Sequence, residues 1–373
     1  MSASATVRRE LRGASGVRSL LRSRPDRIAY VGWVGQGNAG DDAIFAAHRR
    51  AMSGLRLVAM PLDVGALAAP AVAALHRRRA GGVFRAGLIG GGTLVGRPDW
   101  RRRIDFLADL QPRLPIAAVG VGVDDPALSH DSVGADELER WRGTLARLDS
   151  LSVRGPRSQA LMRSLGVDAP VSADPALLWA RAPRHPEARE RLLGLNVAVP
   201  RAQIRERDRL VDRAIALGSR ARAAGWSVRI LAFAKEDVRS ARAVARRLPG
   251  GAAVITPAAG VEGLLGAIAT CHVVYAHRLH AAVLAAAAGV PFLCVDYLPK
   301  CGDFLASLEL GDWAIARSVV APDDIGAALD TLATDRDAAA DRLHRAVEKR
   351  LVPLEAELGL LRNELFTGMR FRS

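Results

Sequence analysis

The chain has 373 residues, half of them apolar and a quarter charged, and its 53 basic against 39 acidic side chains give a formal charge of +14. This balance is typical of a globular protein and excludes a disordered or fibrous one. The longest uncharged apolar run, from Ala281 to Val295, is interrupted by Gly289 and Pro291 and is too short to span the roughly 30 Å of a bilayer core. At this length two domains are expected.

The positive charge raises the question of nucleic-acid binding, because clustered Lys and Arg neutralise phosphates. Here the arginines are spread along the chain, aromatic residues make up only 5%, and no nucleic-acid-binding motif is found. We therefore predict a solvated basic surface and no specific nucleic-acid partner.

The cysteines and the first residues of the chain bear on where the protein works. The three cysteines are odd in number and lack CxxC spacing, which favours a reducing, cytoplasmic setting without a structural zinc. Residues 1–26 are rich in Ser, Gly and Arg and predict a flexible basic tail. Such a tail suits peripheral contact with an anionic membrane surface, although its composition also resembles a transit peptide.

From residue 27 the sequence alternates between apolar strands, glycine-rich turns and amphipathic helices. The strands predicted in this first half are 28–34, 57–60, 87–89, 116–119 and 151–154. The helices predicted with them are 43–52, 67–79, one around 100–104, 138–148 and 158–165. Glycine turns are expected at 90–93 and 120–122.

A second alternating series follows a charged, proline-containing stretch. Its predicted strands are 195–199, 228–233, 253–255, 272–275 and 292–295. Its predicted helices are 206–224, 237–248, 261–269, 279–288, one beginning near 323, and one or two long helices over 335–365.

The alternation predicts two Rossmann-like α/β domains that face each other across a cleft, each with a parallel sheet covered by helices. The predicted bounds are a tail over 1–26, a first domain over 27–182, a linker over 183–192, a second domain over 193–334 and a helical tail over 335–373. Trp33, Trp100, Trp179 and Trp226 are interpreted as core residues rather than as platforms for sugars.

The first glycine loop, Gly35-x-Gly37-x-x-Gly40, follows a strand and opens a helix, with Asp63 at the end of the next strand. This spacing formally satisfies the dinucleotide fingerprint. Asp41 and Asp42, however, occupy the helix N-terminus, where they would repel a pyrophosphate. We predict close backbone packing beside a ligand cleft, with hydroxyl-binding or structural carboxylates, and keep a nicotinamide site as the alternative.

Cationic side chains follow three predicted strands at the edge where open α/β sheets bind ligands. Arg154 follows one strand, Arg278 and His280 begin the helix after another, and Lys300 follows a third. Arginine suits carboxylate and phosphate alike, so these residues predict a site for a small polyanion with a proton donor. The alternative is that Arg278 pairs with a carboxylate and that His280 packs in the core, as we expect of His277.

Other chemistries find little support in the sequence. It contains no GxSxG elbow, no HExxH motif and no Walker loop. It also lacks the pair of glutamates eight residues apart that a retaining nucleotide-sugar transferase of two-domain shape often shows in its second domain.

At these residues the sequence resembles the polysaccharide pyruvyl transferase family. The matching blocks keep the order of the family from about residue 30 to 310: 37–43, 90–93, 120–122, 152–154 with Ser158, 173–175, 278–281, 287–291 and 297–300. The resemblance implies a fold similar to B-type glycosyltransferases and transfer of pyruvate from phosphoenolpyruvate, as a ketal, onto a sugar of a cell-surface polysaccharide precursor. A B-type glycosyltransferase that uses a nucleotide sugar and a non-catalytic binder of glycans or polyanions remain the alternatives.

The resemblance also assigns roles to residues. Arg154 and Arg278 are expected to hold the carboxylate and phosphate of phosphoenolpyruvate, His280 to donate a proton, and Lys300 to contact the phosphate. Further substrate-binding residues on the same basis are Asn38, Asp41, Asp42, Gly91, Gly92, Thr93 and Asp174. No metal is expected, and no cofactor beyond phosphoenolpyruvate as co-substrate. The acceptor is expected to be a sugar, with a lipid-linked sugar as one option.

The chain departs from the common pattern of the family at two places. It has Gly155 and Pro156 where members often carry an Asp after the arginine, and His277 where a small residue or Met is frequent. A histidine with a pKa near its ordinary value of about 6.5 suits proton donation at neutral pH. The helix N-terminus would lower that pKa and a bound phosphate would raise it.

Overall fold

A computed structural model describes residues 26–60, 84–126, 135–182, 191–199, 205–316 and 321–367. The predicted basic tail up to residue 25, Asp63, the predicted helix 67–79 and residues 183–190 of the predicted linker lie outside these residues.

The first sheet consists of six strands: β1 (Arg27–Val31), β2 (Arg56–Ala59), β3 (Ala86–Ile89), β4 (Gly92–Val95), β5 (Ile116–Val123) and β6 (Ser150–Val153). β1 lies between β2 and β3, while β5 pairs with β3, β4 and β6, and all of these pairings are parallel. Every residue of β1 and β5 is buried, as expected of parallel strands covered on both faces.

The second sheet also has six parallel strands: β7 (Leu192–Asn196), β8 (Ser227–Leu231), β9 (Ala253–Ile255), β10 (Val273–Ala276), β11 (Phe292–Asp296) and β12 (Ala314–Ala316). Their order in the sheet is β12, β11, β10, β7, β8, β9. The chain therefore reverses direction across the sheet between β7 and β10, and at such a switch point the carboxyl ends of neighbouring strands open a crevice.

Helices connect the strands, and most of them lie where the sequence predicts them. They are α1 (Ala39–Ala51), α2 (Pro98–Leu110), α3 (Ala135–Leu145), α4 (Pro156–Ser164), α5 (Arg207–Ala223), α6 (Val238–Arg247), α7 (Gly260–Ala269), α8 (Leu279–Ala287), α9 (Pro299–Ser307), α10 (Pro322–Thr334) and α11 (Arg336–Thr367). Two parallel sheets with intervening helices confirm the predicted α/β class. Three elements were not predicted from the sequence: α9, β12 and a 3-10 helix over Pro175–Arg181.

The two predicted glycine turns are wrong in part, because strands run through them. Strand β5 continues to Val123, with Gly120 at a φ of 60° and a shift of register between Ala118 and Val121. A glycine can take this conformation inside a strand and so leaves a bulge instead of ending the strand. Likewise, Gly92 and Thr93 begin β4.

The tryptophans show a second difference from the prediction. Trp100, Trp179 and Trp226 are buried, as predicted, whereas Trp33 is 41% exposed. β1 ends at Val31, so Trp33 lies beyond the sheet; its ring forms a T-shaped pair with Trp100, with 6.3 Å between ring centroids.

The C-terminal helix α11 returns from the second sheet to the first half of the chain. Arg181 at the end of the 3-10 helix donates to Glu348 at 2.7 Å and to Glu355 at 2.9 Å, and Ser172 donates to Glu357 at 2.7 Å. One buried apolar cluster extends from β1 and α1 through β7–β11 to α11. The two α/β halves thus share packing, and the predicted domain bounds stay a prediction; β7 begins at Leu192, inside the predicted linker.

Candidate functional site

Arg154 lies directly after β6 and is almost completely buried, at 1% exposure. Its Nη1 donates to Asp174 Oδ2 and its Nη2 to Thr93 Oγ1, both at 3.4 Å, and its Nε has no hydrogen-bond partner among the described residues. Buried charged groups are normally paired closely, because desolvation is costly. The guanidinium is therefore loosely held and retains donors for an anion.

Asp174 joins this arginine to the second half of the chain. Its carboxylate is completely buried and caps the 3-10 helix by accepting from the Ala176 N–H at 3.0 Å. Its Oδ2 also lies 3.7 Å from Nε2 of His280, which is too far for a hydrogen bond. Asp174 thus faces Arg154 from one side and His280 from the other.

His280 belongs to the first turn of α8, and its Nε2 is buried without a partner among the described residues. Burial lowers the pKa of His280 to about 4, Asp174 opposes this shift, and the cations Arg154, Lys300 and Arg278 add to it. The imidazole is therefore neutral at pH 7, and a negative charge placed beside it would favour its charged form.

Gly40 is what allows α1 to approach this histidine. A Cβ on residue 40 would lie 2.1 Å from Nδ1 of His280, closer than any non-bonded contact allows. The same loop is hydrogen-bonded to the second half, since Ala39 N–H donates to Phe233 O at 2.8 Å and Lys235 N–H donates to Gly37 O at 2.9 Å. The glycine loop therefore packs backbone against the site, as the sequence analysis predicts.

Arg278 is held more tightly than Arg154. It precedes α8, and its Nε and Nη2 donate to the two oxygens of the buried Asp237 at 2.6 and 2.8 Å, with Glu236 at 3.3 Å from Nη2. Asn196 fixes the backbone, because its Oδ1 accepts from the N–H groups of His277 and Arg278. The alternative interpretation, pairing with a carboxylate, thus holds for two of the three guanidinium nitrogens, and Nη1 alone makes no hydrogen bond within the described chain.

His277 packs in the core, as predicted. It is 4% exposed and lies edge-on to Tyr297, with 5.3 Å between ring centroids. Burial, followed by the charges of Arg278 and Arg213, lowers the pKa of His277 to about 3, so its ring is neutral at physiological pH.

Lys300 and Asp41 complete the cluster from opposite halves. Lys300 is half-buried at the start of α9 and forms no ion pair within the described residues; its ammonium lies 5.9 Å from the ring centre of Tyr297. Burial lowers its pKa, as do Arg278 and Arg154. Asp41 Oδ1 lies 3.5 Å from the position of a Cβ on Gly92.

Asp41 and its two polar neighbours differ in what they bind. Asn38 Oδ1 accepts from the Gly40 N–H at 3.1 Å and caps α1, and Asp42 Oδ1 accepts from the Gly35 N–H at 2.8 Å. These two side chains are therefore committed to the loop. Burial raises the pKa of Asp41 to about 7; Lys300 opposes the shift, and Asp42 and Asp174 add to it.

Gly155 stands where members of the resembling family often carry an Asp, and the structure shows a reason for the glycine. Asp303 of α9 accepts from the Arg157 N–H at 2.8 Å and from the Ser158 hydroxyl at 2.6 Å, so it caps α4 from the second half of the chain. A Cβ on Gly155 would lie 2.2 Å from Asp303 Oδ1. In this chain a carboxylate of α9 thus lies against Gly155, and the residue after Arg154 must be small.

The structure brings most of the predicted site residues together. Arg154, Thr93 and Asp174 share contacts, His280 faces them, and the buried Gly91 and Gly92 lie at the start of β4 beside Asp41. Sequence reasoning missed four residues that hold this arrangement: Asn196, Glu236, Asp237 and Asp303. Asn196 ends β7, Glu236 and Asp237 lie in a short 3-10 helix, and Asp303 lies within α9; a polar side chain in such a place does not reveal its partner.

The comparisons with known proteins identify a family and agree with this fold. A model of the polysaccharide pyruvyl transferase family matches residues 38–299. No curated protein matches the chain in sequence.

Solved structures share the fold at low sequence identity. Os79 from O. sativa, solved with U2F and a trichothecene, matches with a TM-score of 0.60 and 11% identity over 91% of this chain and 100% of its own. A UDP-glucosyltransferase from Polygonum tinctorium matches at 0.55 and 9%, over 92% and 99% of the two chains. A putative UDP-N-acetylglucosamine 2-epimerase from Listeria monocytogenes matches at 0.56 and 10%, over 85% and 90%. The predicted architecture, two Rossmann-like domains as in B-type glycosyltransferases, is confirmed.

The described residues contain neither a candidate membrane span nor a cluster of metal-ligating side chains. None of the helices there has the length and apolar character to cross a bilayer. No three His, Cys, Asp or Glu side chains in that part of the chain are arranged to hold a metal ion.

Proposed function

Because the chain belongs to the polysaccharide pyruvyl transferase family, we propose that it transfers pyruvate from phosphoenolpyruvate onto two hydroxyls of a sugar as a ketal. The observation that carries this proposal is the buried Arg154, whose loosely held guanidinium faces His280 across Asp174. A buried cation with an unused donor, next to an imidazole with an unused nitrogen, suits a small anion that must be protonated.

The cations divide the anionic groups of phosphoenolpyruvate between them. Arg154 offers Nε, Arg278 offers Nη1 and Lys300 offers its ammonium, each from the carboxyl end of a strand. Together they bind the carboxylate and the phosphate, and they stabilise the phosphate as it departs.

His280 supplies the proton that starts the reaction. Phosphoenolpyruvate brings negative charge to a histidine whose pKa of about 4 results mainly from burial, and this charge raises the pKa toward neutrality. Proton uptake therefore accompanies binding of phosphoenolpyruvate. The imidazolium then protonates the enol carbon, which leaves C2 electrophilic toward the sugar.

The acceptor in this proposal is a sugar of a cell-surface polysaccharide precursor, carried on a lipid. The enzyme would then work in the cytoplasm and meet its acceptor at the inner face of the membrane. The formal charge of +14 supports this, because a positive protein is attracted to anionic lipid. Phosphoenolpyruvate serves as co-substrate, and the proposed chemistry uses no other cofactor.

The test is phosphate release from phosphoenolpyruvate with lipid-linked, nucleotide-linked and simple glycosides as acceptors, with the ketal identified by mass spectrometry. The wild type is expected to be active, and His280→Ala to lose at least about 10²-fold in turnover. In parallel, thermal shifts with phosphoenolpyruvate and with UDP-sugars distinguish a pyruvyl transferase from a B-type glycosyltransferase. Stabilisation by a UDP-sugar alone, without phosphate release, would favour a B-type glycosyltransferase instead.

A further inference from the structure

The cluster that faces phosphoenolpyruvate contains one carboxylate without a partner. Asp41 makes no hydrogen bond and no ion pair within the described chain, although its side chain is partly buried at the start of α1. Carboxylates in such positions normally bind backbone or side-chain donors, as Asp42 and Asp174 do. Asp41 is therefore free to accept a proton or hydrogen bond from a ligand.

The charges around Asp41 come from both halves of the chain. Asp42 on α1 and Asp174 before the 3-10 helix disfavour its ionised form, while Lys300 on α9 and Arg278 before α8 favour it. Together with burial, which is the largest cause, they raise the pKa of Asp41 to about 7. A base with this pKa is half-ionised at neutral pH and well matched to receive a proton there.

An exposed indole borders the same loop. Trp33 is 41% exposed, and it is the sole aromatic among the large apolar side chains that the described residues leave exposed. It is two residues before Gly35, so their Cα atoms are within about 7.6 Å, and the Gly35 N–H is bonded to Asp42, next to Asp41. The indole forms a T-shaped pair with Trp100, and Trp33 keeps 41% of its surface exposed despite this contact.

We propose that the loop from Trp33 to Asp42 is the subsite for the acceptor sugar, with Trp33 as the surface on which the pyranose ring stacks and Asp41 as the general base for its hydroxyl. The inference rests on the proposed pyruvyl transfer and adds the second substrate to it. It also separates the roles of the two halves: α8 and α9 carry the cations for phosphoenolpyruvate, and the loop before α1 receives the sugar.

The proton balance of the reaction requires such a base. His280 gives a proton to C3 of phosphoenolpyruvate, and the first sugar oxygen bonds to C2 while its proton moves to Asp41. The bond from C2 to the phosphate oxygen then breaks with its electron pair, and Asp41 returns the proton to the leaving phosphate. The second sugar oxygen bonds to C2, and its proton restores His280. The products are the cyclic ketal and hydrogen phosphate, with both side chains back in their starting forms.

The experiment compares Asp41→Asn and Trp33→Ala with two matched controls, using p-nitrophenyl glycosides of galactose, glucose and mannose and a lipid-linked saccharide as probes. Asp99→Asn removes an exposed carboxylate from the first turn of α2, and Leu360→Ala removes an exposed apolar side chain from α11. For each protein, kcat, KM for the acceptor, the pH profile and the thermal shift with phosphoenolpyruvate are measured.

Asp41→Asn is expected to lower kcat by roughly 10²–10³-fold and to abolish the acidic limb of the pH profile, with its thermal shift by phosphoenolpyruvate retained. Trp33→Ala is expected to raise KM for the acceptor about tenfold with kcat within about twofold, which marks loss of uniform binding. A kcat for Asp41→Asn within threefold of wild type, or an unchanged acidic limb, would show that Asp41 is not the general base. An unchanged KM for Trp33→Ala would show that the sugar does not stack on Trp33. If the wild type itself turns over none of the acceptors, the proposed function fails, and this inference with it.

Discussion

Arg154 and Arg278 are residues of the same type at equivalent places, each just beyond a buried strand of its own sheet, yet they are held in opposite ways. Arg154 has two long hydrogen bonds of 3.4 Å and an unused Nε. Arg278 is locked in a fork by Asp237 at 2.6 and 2.8 Å. The first arginine can exchange its partners for an anion at little cost, whereas the second is fixed in place and has one nitrogen left over.

The difference shows how burial and partners, rather than position alone, determine what an arginine does. A tightly paired guanidinium contributes to the stability of the domain, because breaking a buried pair leaves a charge without compensation. A loosely paired one contributes less to stability and more to binding. We therefore expect substitutions at the two places to differ in whether activity or folding is lost.

The largest effect is expected at Arg154. Arg154→Ala removes the main electrostatic contact of the proposed anion and should lower phosphate release from phosphoenolpyruvate by roughly 10³-fold. Arg154→Lys keeps the charge opposite Asp174 but cannot reproduce the planar fork, so it should remain folded and still lose more than about tenfold. Full activity in Arg154→Lys would show that the fork of this arginine is not used.

Gly40→Ala should disturb the contact between the two halves without touching either arginine. The new methyl group would collide with the His280 ring and displace this proposed proton donor, which should reduce turnover by about 10²-fold. Gly143→Ala is the matched control, because a Cβ there meets no atom within 4 Å. Equal activities of the two variants would refute the need for this close approach.

Asp237→Asn tests whether the tight pairing of Arg278 stabilises the fold. The variant loses the charge-assisted fork to Arg278, and we expect the free energy of unfolding in urea to fall by about 2 kcal/mol. Asp99→Asn, an exposed carboxylate, should change it by less than about 0.5 kcal/mol. If the free energy of unfolding of Asp237→Asn equals that of wild type, Arg278 is held as loosely as Arg154.

The smallest effect is expected in the dependence of stability on pH. Burial lowers the pKa of His48 and His280 to about 4 and that of His277 to about 3, below the ordinary 6.5. The unfolded chain then binds more protons between about pH 4 and 6.5, so these groups destabilise the fold as pH falls through that window.

Asp41 has the opposite sign, because its pKa is raised from 3.8 to about 7 and the folded state holds the extra proton. The three histidines outweigh this single carboxyl. His48→Gln, away from the proposed chemistry, should therefore reduce the slope of unfolding free energy against pH by up to about 1.4 kcal/mol per pH unit. An unaltered slope would mean that His48 is not buried in its neutral form.

Much of the fold could be predicted from the sequence, because apolar runs of strand length alternated with amphipathic helices. The predictions failed where a glycine did not end an element, as at Gly120, where the strand continues through a bulge. They also failed at Trp33, since the end of β1 decides whether that indole faces the core.

The candidate site was predictable in its residue types and not in its pairing. Position at strand ends pointed to Arg154, Arg278, His280 and Lys300, and the structure places the three cations close enough to His280 to influence its pKa. Asp237 holds Arg278 across a separation of 41 positions in the sequence, and Asp303 caps α4 across separations of 145 and 146 positions. Such contacts leave no local pattern in the sequence.

The central claim is that phosphoenolpyruvate binds beside Arg154 and thereby charges His280. Calorimetric titration of the protein with phosphoenolpyruvate at pH 7, in buffers of different ionisation enthalpy, measures the protons taken up on binding. The account predicts net uptake in the wild type that is lost in His280→Asn while binding itself persists. Binding without proton uptake in the wild type, or equal uptake in His280→Asn, would contradict it.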